Sequence, residues 1–276
     1  MAMVSRLYRF PVKGLTPASV ERVSLRADGA IEGDRVLGFL LADAGEEQRP
    51  GWWPKASFLT MQNTPGLALV SAAYDGATHV LSLSHAGAEF ASGDVQVDMD
   101  RLRLAEALGA LVATFDENPL VGHPERLPLN LVGDGSTPRF HDRTAHNVTL
   151  MGSASIAALE ATIGGDVDER RFRMNVTIDG LDAWEDLSWI GGAVRIGDLD
   201  FDVTGPIVRC LATHANPVTG ERDLDVMQTL TREFDQERPT MGVLAVPRTA
   251  GAIAVGDEVT LIYYRDSNEP VGTMRK

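Results

Sequence analysis

The chain has 276 residues, 44% of them hydrophobic, and sets 39 acidic side chains against 25 basic ones for a net charge of −14. That length permits one large domain or two small ones, burying about three quarters of the unfolded surface, and the acidity argues against general binding to nucleic acid or anionic lipid. One cysteine excludes an intramolecular disulfide, a paired-cysteine zinc site and an iron-sulfur cluster held by this chain alone, which points to a reducing cytoplasm.

From the N-terminus, no apolar stretch resembles a signal peptide, and no run of about twenty apolar residues predicts a membrane span. Residues 4–10 alternate as a strand and end in Pro11-Val12-Lys13-Gly14, a turn carrying one lysine. A second alternating stretch, 20–25, leads through the turn Asp28-Gly29 to Gly33-Asp34-Arg35 and an apolar strand over 36–41. Lys13 and Arg35 therefore sit at strand ends. Residues 46–57 read as a loop in which Trp52 and Trp53 serve as a packing anchor or a lid, with packing preferred. Short strands follow at 67–74, 78–84 and 95–99, then a helix at 101–111. The Pro-, Gly- and Asn-rich residues 116–139 mark the boundary between two halves, giving domains 1–115 and 116–265 with a tail at 266–276.

Beyond the boundary, 148–151 reads as a strand and Ser153 as the cap of a helix over 154–163. Strands are predicted at 194–196 and 199–204, a helix with period-3.6 spacing at 224–234, and closing strands over 241–246 and 252–263. Many short strands with few helices predict a mainly β, α+β protein built from partly closed barrels. Two stretches carry chemistry. In residues 171–176, read as a strand, Arg171, Arg173 and Asn175 share one face and Phe172, Met174 and Val176 the other, so the cationic face calls for an anion. The lone Cys210 follows Arg209 after a Gly205-Pro206 breaker, in or at the start of a strand over 211–213. A buried cysteine that merely fills space is the competing reading.

These residues meet a family. LYRFPVKGL and GAIEGDR, followed in order by RFRMN, AWEDLSW, VRIGD, VRC, NPVTGERD and AGAIAVGDEV, resemble the MOSC family, the molybdenum cofactor sulfurase C-terminal domain proteins, with an N-terminal MOSC β-barrel domain ahead of the MOSC barrel. The arrangement is most similar to the amidoxime-reducing members. The resemblance implies a molybdenum cofactor of the molybdopterin type, with Cys210 as the protein ligand to the metal, since a thiolate is the soft donor a high-valent metal takes. It implies Lys13 and Arg35 as holders of the cofactor's phosphate, and Arg173 and Asn175 as its pterin-facing pair. Arg171 joins them as a neighbour on the same face, and Arg209 as the residue before the ligand. Asp142 matches an aspartate near the metal, suited to orienting a substrate amine or passing a proton.

The activity so implied is reduction of small N-hydroxylated substrates by oxygen-atom removal, with electrons from a separate donor protein. The alternatives are sulfur carriage through a Cys210 persulfide and a noncatalytic molybdopterin-binding role. A hydrolase pairing Cys210 with His214 is disfavoured, because on a strand the two stand roughly 13 Å apart. Pyridoxal phosphate binding attaches to the family by association only. Three positions depart from the family pattern: Gly14 where serine is common, Met174 for a proline, and Val208 for a serine.

Overall fold

Ala2–Arg9, the first strand of the chain, is a stave of a barrel otherwise made by the C-terminal half. The computed structural model describes residues 1–45, 52–143 and 145–263. Around the barrel the order is Val176–Asp179, Val148–Gly152, Thr240–Pro247, Leu199–Val208, Ala193–Ile196, Glu258–Tyr263 and Ala2–Arg9, which pairs back onto Val176–Asp179 and closes the ring. Val148–Gly152 and Val176–Asp179 run parallel, so the chain crosses over between them through the helix Ser153–Ile163. The other neighbours are antiparallel. Period-2 alternation sends Leu150, Val176, Ile178, Val194, Phe201, Val203 and Val243 inward, and an irregularity between Val4 and Arg6 turns Val4 and Leu7 to the same side, so that all form a single apolar core.

A second unit packs beside the barrel. It holds the three-stranded sheet Val70–Asp75, Val80–His85 and Ala88–Asp94, the pair Gly38–Leu40 with Asn130–Val132, and the helix Asp98–Val112. Leu104, Leu108 and Val112 of the helix lie on one face and are buried with Phe39, Leu67, Leu81 and Leu83. The sheets do not follow a cut at residue 115. Ala2–Arg9 belongs to the barrel, Arg22–Leu25 pairs with Gly251–Ala254, and Ala212 and Ala215 pack into the core of the second unit. The two units are thus stitched together by the first 25 residues and by the stretch after Cys210. The proposed tail, 266–276, lies outside the described residues.

Four local expectations are corrected. Residues 95–99 are not a strand: Val95 is buried, but Val97 and Met99 are exposed, and Asp98 and Asp100 form the first turn of the helix, where acidic side chains favour its dipole. Ser153 is the first residue of its helix rather than its cap, a position Gly152 takes. Residues 171–175 are not a strand either. Asp168 accepts the Arg170 N–H and opens a 3-10 turn over Glu169–Phe172, Arg173 is left-handed at φ 54°, and the strand begins only at Val176. Residues 211–213 belong to a second 3-10 turn, Leu211–His214, in which the Thr213 N–H and hydroxyl both donate to the Cys210 carbonyl.

Candidate functional site

The Cys210 cavity lies where the two units meet. The strand Leu199–Val208 ends two residues before Cys210, and the Arg209 N–H donates to the Pro239 carbonyl at 2.7 Å, which fixes the chain as it leaves the sheet. Cys210 follows in extended conformation, partly buried, at the lip of a cavity of about 390 Å³. That volume is within the range of small-molecule sites. Seven basic side chains line it, Lys13, Arg35, Lys55, Arg143, Arg171, Arg173 and Arg209, against one carboxylate, Asp142. In a chain of net charge −14 this concentration of cations is the opposite of the average, and it marks the place where an anion gains most.

Two of the arginines are built alike. Arg35, from the N-terminal half, and Arg173, from the C-terminal half, both hold left-handed backbone, φ 52° and 54°, which is uncommon for a side chain with a Cβ and frequent at functional sites. Their guanidinium groups lie 4.6 and 4.5 Å from the centre of the Phe10 ring, which carries them both by cation–π attraction. Asp34 pairs with Arg35 and also accepts the Phe10 N–H at 2.7 Å, so ring and guanidinium are set by one carboxylate. Arg173 donates to the Leu15 carbonyl. Burial, then the charge of Arg35, lowers it to about 10, which leaves it a cation at neutral pH.

Lys13 is 4% exposed. Its ammonium donates to the Phe140 carbonyl at 2.9 Å and to Asp142. Burial lowers its pKa against the pull of Asp142. The next residue explains its own departure from the family pattern: Gly14 has φ 86°, and a Cβ there would stand 2.4 Å from the Leu59 carbonyl oxygen, so serine does not fit. Asp142 takes Lys13 on one oxygen and Lys55 on the other, the latter at 2.9 Å. Half of its side chain opens to the cavity. Burial pushes its pKa up, but the two ammoniums prevail and hold it well below the usual carboxylate range.

The remaining expected residues divide. Arg171 borders the cavity, yet it is 3% exposed and its two terminal nitrogens go to Asp223 at 2.8 Å and the His214 carbonyl at 3.0 Å, leaving only Nε without a partner among the described residues. Arg209 likewise gives its donors to the Met241 and Phe172 carbonyls and to Met174 Sδ. Both arginines brace the wall. Asn175 does not line the cavity: its amide oxygen accepts from Thr149 and its NH₂ donates to the Tyr8 carbonyl, so the expected shared face with Arg173 is absent. His214 is also outside it, with Nε2 turned to the Met227 N–H and Asp225.

Lys55 is the residue that spacing and motif miss. It sits in a 3-10 turn, Lys55–Ser57, after Pro54, and donates to Cys210 Sγ at 3.3 Å. An isolated lysine in Trp52-Trp53-Pro54-Lys55 was its one visible signal. Of the tryptophans, Trp53 is buried against Phe58, as a packing anchor would be, and Trp52 is 44% exposed with its indole N–H on the His141 carbonyl. Residues 46–51 of that loop lie outside the described residues.

Residues 137–260 match the MOSC domain and residues 1–117 the MOSC N-terminal beta barrel domain, so that the two together account for most of the chain. The chain belongs to the MOSC family. Among relatives, it is 24% identical to human mitochondrial amidoxime-reducing component 1, over 94% of this chain and 82% of that one. It is 39% identical to molybdenum cofactor sulfurase 2 of Culex quinquefasciatus over 75 residues, which is 27% of this chain and 9% of that protein. The solved structure of the YUAD protein from Bacillus subtilis aligns over 94% of this MOSC chain and 93% of its own, at 12% identity and a TM-score of 0.40. Among the described residues no helix is long and apolar enough to cross a membrane.

Proposed function

We propose that this MOSC protein binds a molybdenum cofactor in the Cys210 cavity and reduces N-hydroxylated compounds with electrons from a separate protein. One observation carries the reading: cations from both halves of the chain and the only thiol border a single cavity in an otherwise acidic molecule. The donor set suits such a guest. Lys13, Arg35 and Arg173 offer a point charge and two forks to a phosphate, and Cys210 Sγ is a soft donor for the metal. When bound, the cofactor supplies two-electron oxygen-atom chemistry that side chains cannot.

The overall conversion takes an N-hydroxy compound, two electrons and two protons to the amine and water. This chain's own residues bind, orient and provide the proton-bearing surroundings. Asp142, ionised between two lysines, is placed to orient a basic nitrogen of the substrate. The likeness to human mitochondrial amidoxime-reducing component 1, which runs over 94% of this chain, supports this chemistry. Sulfur carriage by a Cys210 persulfide is the second reading, favoured by the Lys55 hydrogen bond to sulfur, which would also stabilise a persulfide anion.

Metal analysis of protein isolated under reducing conditions, together with N-hydroxy reduction driven by an artificial reductant, tests the choice. The expected result is stoichiometric molybdenum and an activity that Cys210→Ala abolishes. A persulfide on Cys210 without metal would replace this reading by sulfur transfer, and activity unchanged in Cys210→Ala would sink both.

A further inference from the structure

Lys55 has a place in the site that phosphate binding and metal ligation leave unused. Its turn is held by Pro54 ahead and by the buried Trp53 and Phe58 on either side. The ammonium donates to Cys210 Sγ at 3.3 Å and to Asp142 at 2.9 Å, with the side chain 26% exposed. Among the described residues it is the only cation within hydrogen-bond distance of the sulfur. Lys13 and Lys55 share the single carboxylate of Asp142, so the trio keeps a net positive charge. Any atom that reaches Sγ therefore arrives within a few ångströms of a fixed cation, in a recess where water screens it weakly.

We propose that Lys55 is a specificity-determining residue, selecting molecules that carry negative charge on or beside the atom that approaches Cys210. For substrates this means N-hydroxylated compounds bearing an acidic group, such as a carboxylate or an ionisable N–OH. The substrate part rests on the oxidoreductase reading; the charge selection at sulfur does not.

The test separates the two. In the full chain freed of cofactor, Cys210 is alkylated with iodoacetate and with iodoacetamide at one pH. Either reagent consumes the thiolate, forms an S–C bond and expels iodide, so the ratio of the two rates cancels the thiolate fraction and reports charge selection alone. Lys55→Gln should lower the iodoacetate-to-iodoacetamide ratio roughly tenfold, the factor expected from one nearby charge after screening, and Lys55→Arg should keep it. A ratio within twofold of wild type in a folded Lys55→Gln overturns the proposal. Should Lys55→Gln fail to fold, the wild-type ratio must fall toward that of free cysteine as salt is raised, and indifference to salt overturns it equally. In cofactor-loaded enzyme, Lys55→Gln should raise KM for a carboxylate-bearing N-hydroxyamidine about tenfold more than it raises KM for an uncharged one. Equal changes for both overturn the substrate part and spare the oxidoreductase reading, which fails only if loaded wild type reduces neither.

Discussion

Two carboxylates of this molecule have opposite fates. Asp142 stands between Lys13 and Lys55 and is held well below the usual carboxylate range, burial notwithstanding. Asp186, in the short helix Glu185–Ser188 behind the cavity wall, is 1% exposed, and neither carboxyl oxygen has a hydrogen-bond partner. Burial pushes it up to about 7, against weaker pulls from its own backbone N–H and then from Arg209. The difference is one of depth and of partners together: Asp142, half open and set between two ammoniums, stays an anion, whereas Asp186, buried without such partners, holds its proton far more tightly.

The strongest way to break the contrast is to turn Asp142 into a second Asp186. In the double variant Lys13→Met with Lys55→Met, carboxyl titration followed by NMR should carry Asp142 from below the ordinary carboxylate value to above it, and pyrophosphate affinity should drop at least tenfold. A carboxyl that stays low would mean that backbone or water, not the lysines, sets it.

A second test acts on Asp186 alone. Its folded pKa lies near 7 against an ordinary value of 3.8, so between those limits the folded chain holds a proton that the unfolded chain releases. The stability this proton confers is full below about pH 4 and is lost as pH rises through 7. Asp186→Asn should remove that decline and leave the variant roughly 2 kcal/mol more stable than wild type at pH 8, with the advantage gone at pH 4. Urea denaturation at the two pH values measures it. The smallest effect belongs to Asp142→Asn. Its depressed pKa contributes stability above the unfolded value, lost as pH falls through the acid range, and because half of the side chain is open the loss at pH 7 should stay under about 1 kcal/mol. A shift in Tm reports it.

Much of the barrel was legible because period-2 alternation needs only that one face be buried, as at Val148 and Leu150 or Val194 and Ile196. The same signal misled at 171–175. Phe172 and Met174 are buried as the alternation requires, but Asp168 and the left-handed Arg173 wind the chain so that Arg171, Arg173 and Asn175 diverge. Residues 211–213 failed for a related reason, since local hydrogen bonds to the Cys210 carbonyl outweigh β-propensity in a stretch too short for a ladder. Within the site, Lys13, Arg35, Arg173, Asp142 and Cys210 were reachable from motifs and do border one cavity. Lys55 was not, because what matters about it is a contact across 155 positions of sequence, and no local pattern encodes that.

The pairing of Ala2–Arg9 with Glu258–Tyr263 has a consequence for how the molecule is made. The neighbour that completes the hydrogen bonding along that edge lies more than 240 residues further along the chain and is synthesised correspondingly later. Until then Ala2 and Met3 lack their partner along that edge, although Leu7–Arg9 already pair with Ala18–Val20, and an open edge of this kind invites wrong partners. Ring closure is therefore a late, whole-chain event, slow by the measure of sequence separation. A peptide of residues 1–12 supplied in trans should restore the barrel of a chain that lacks them.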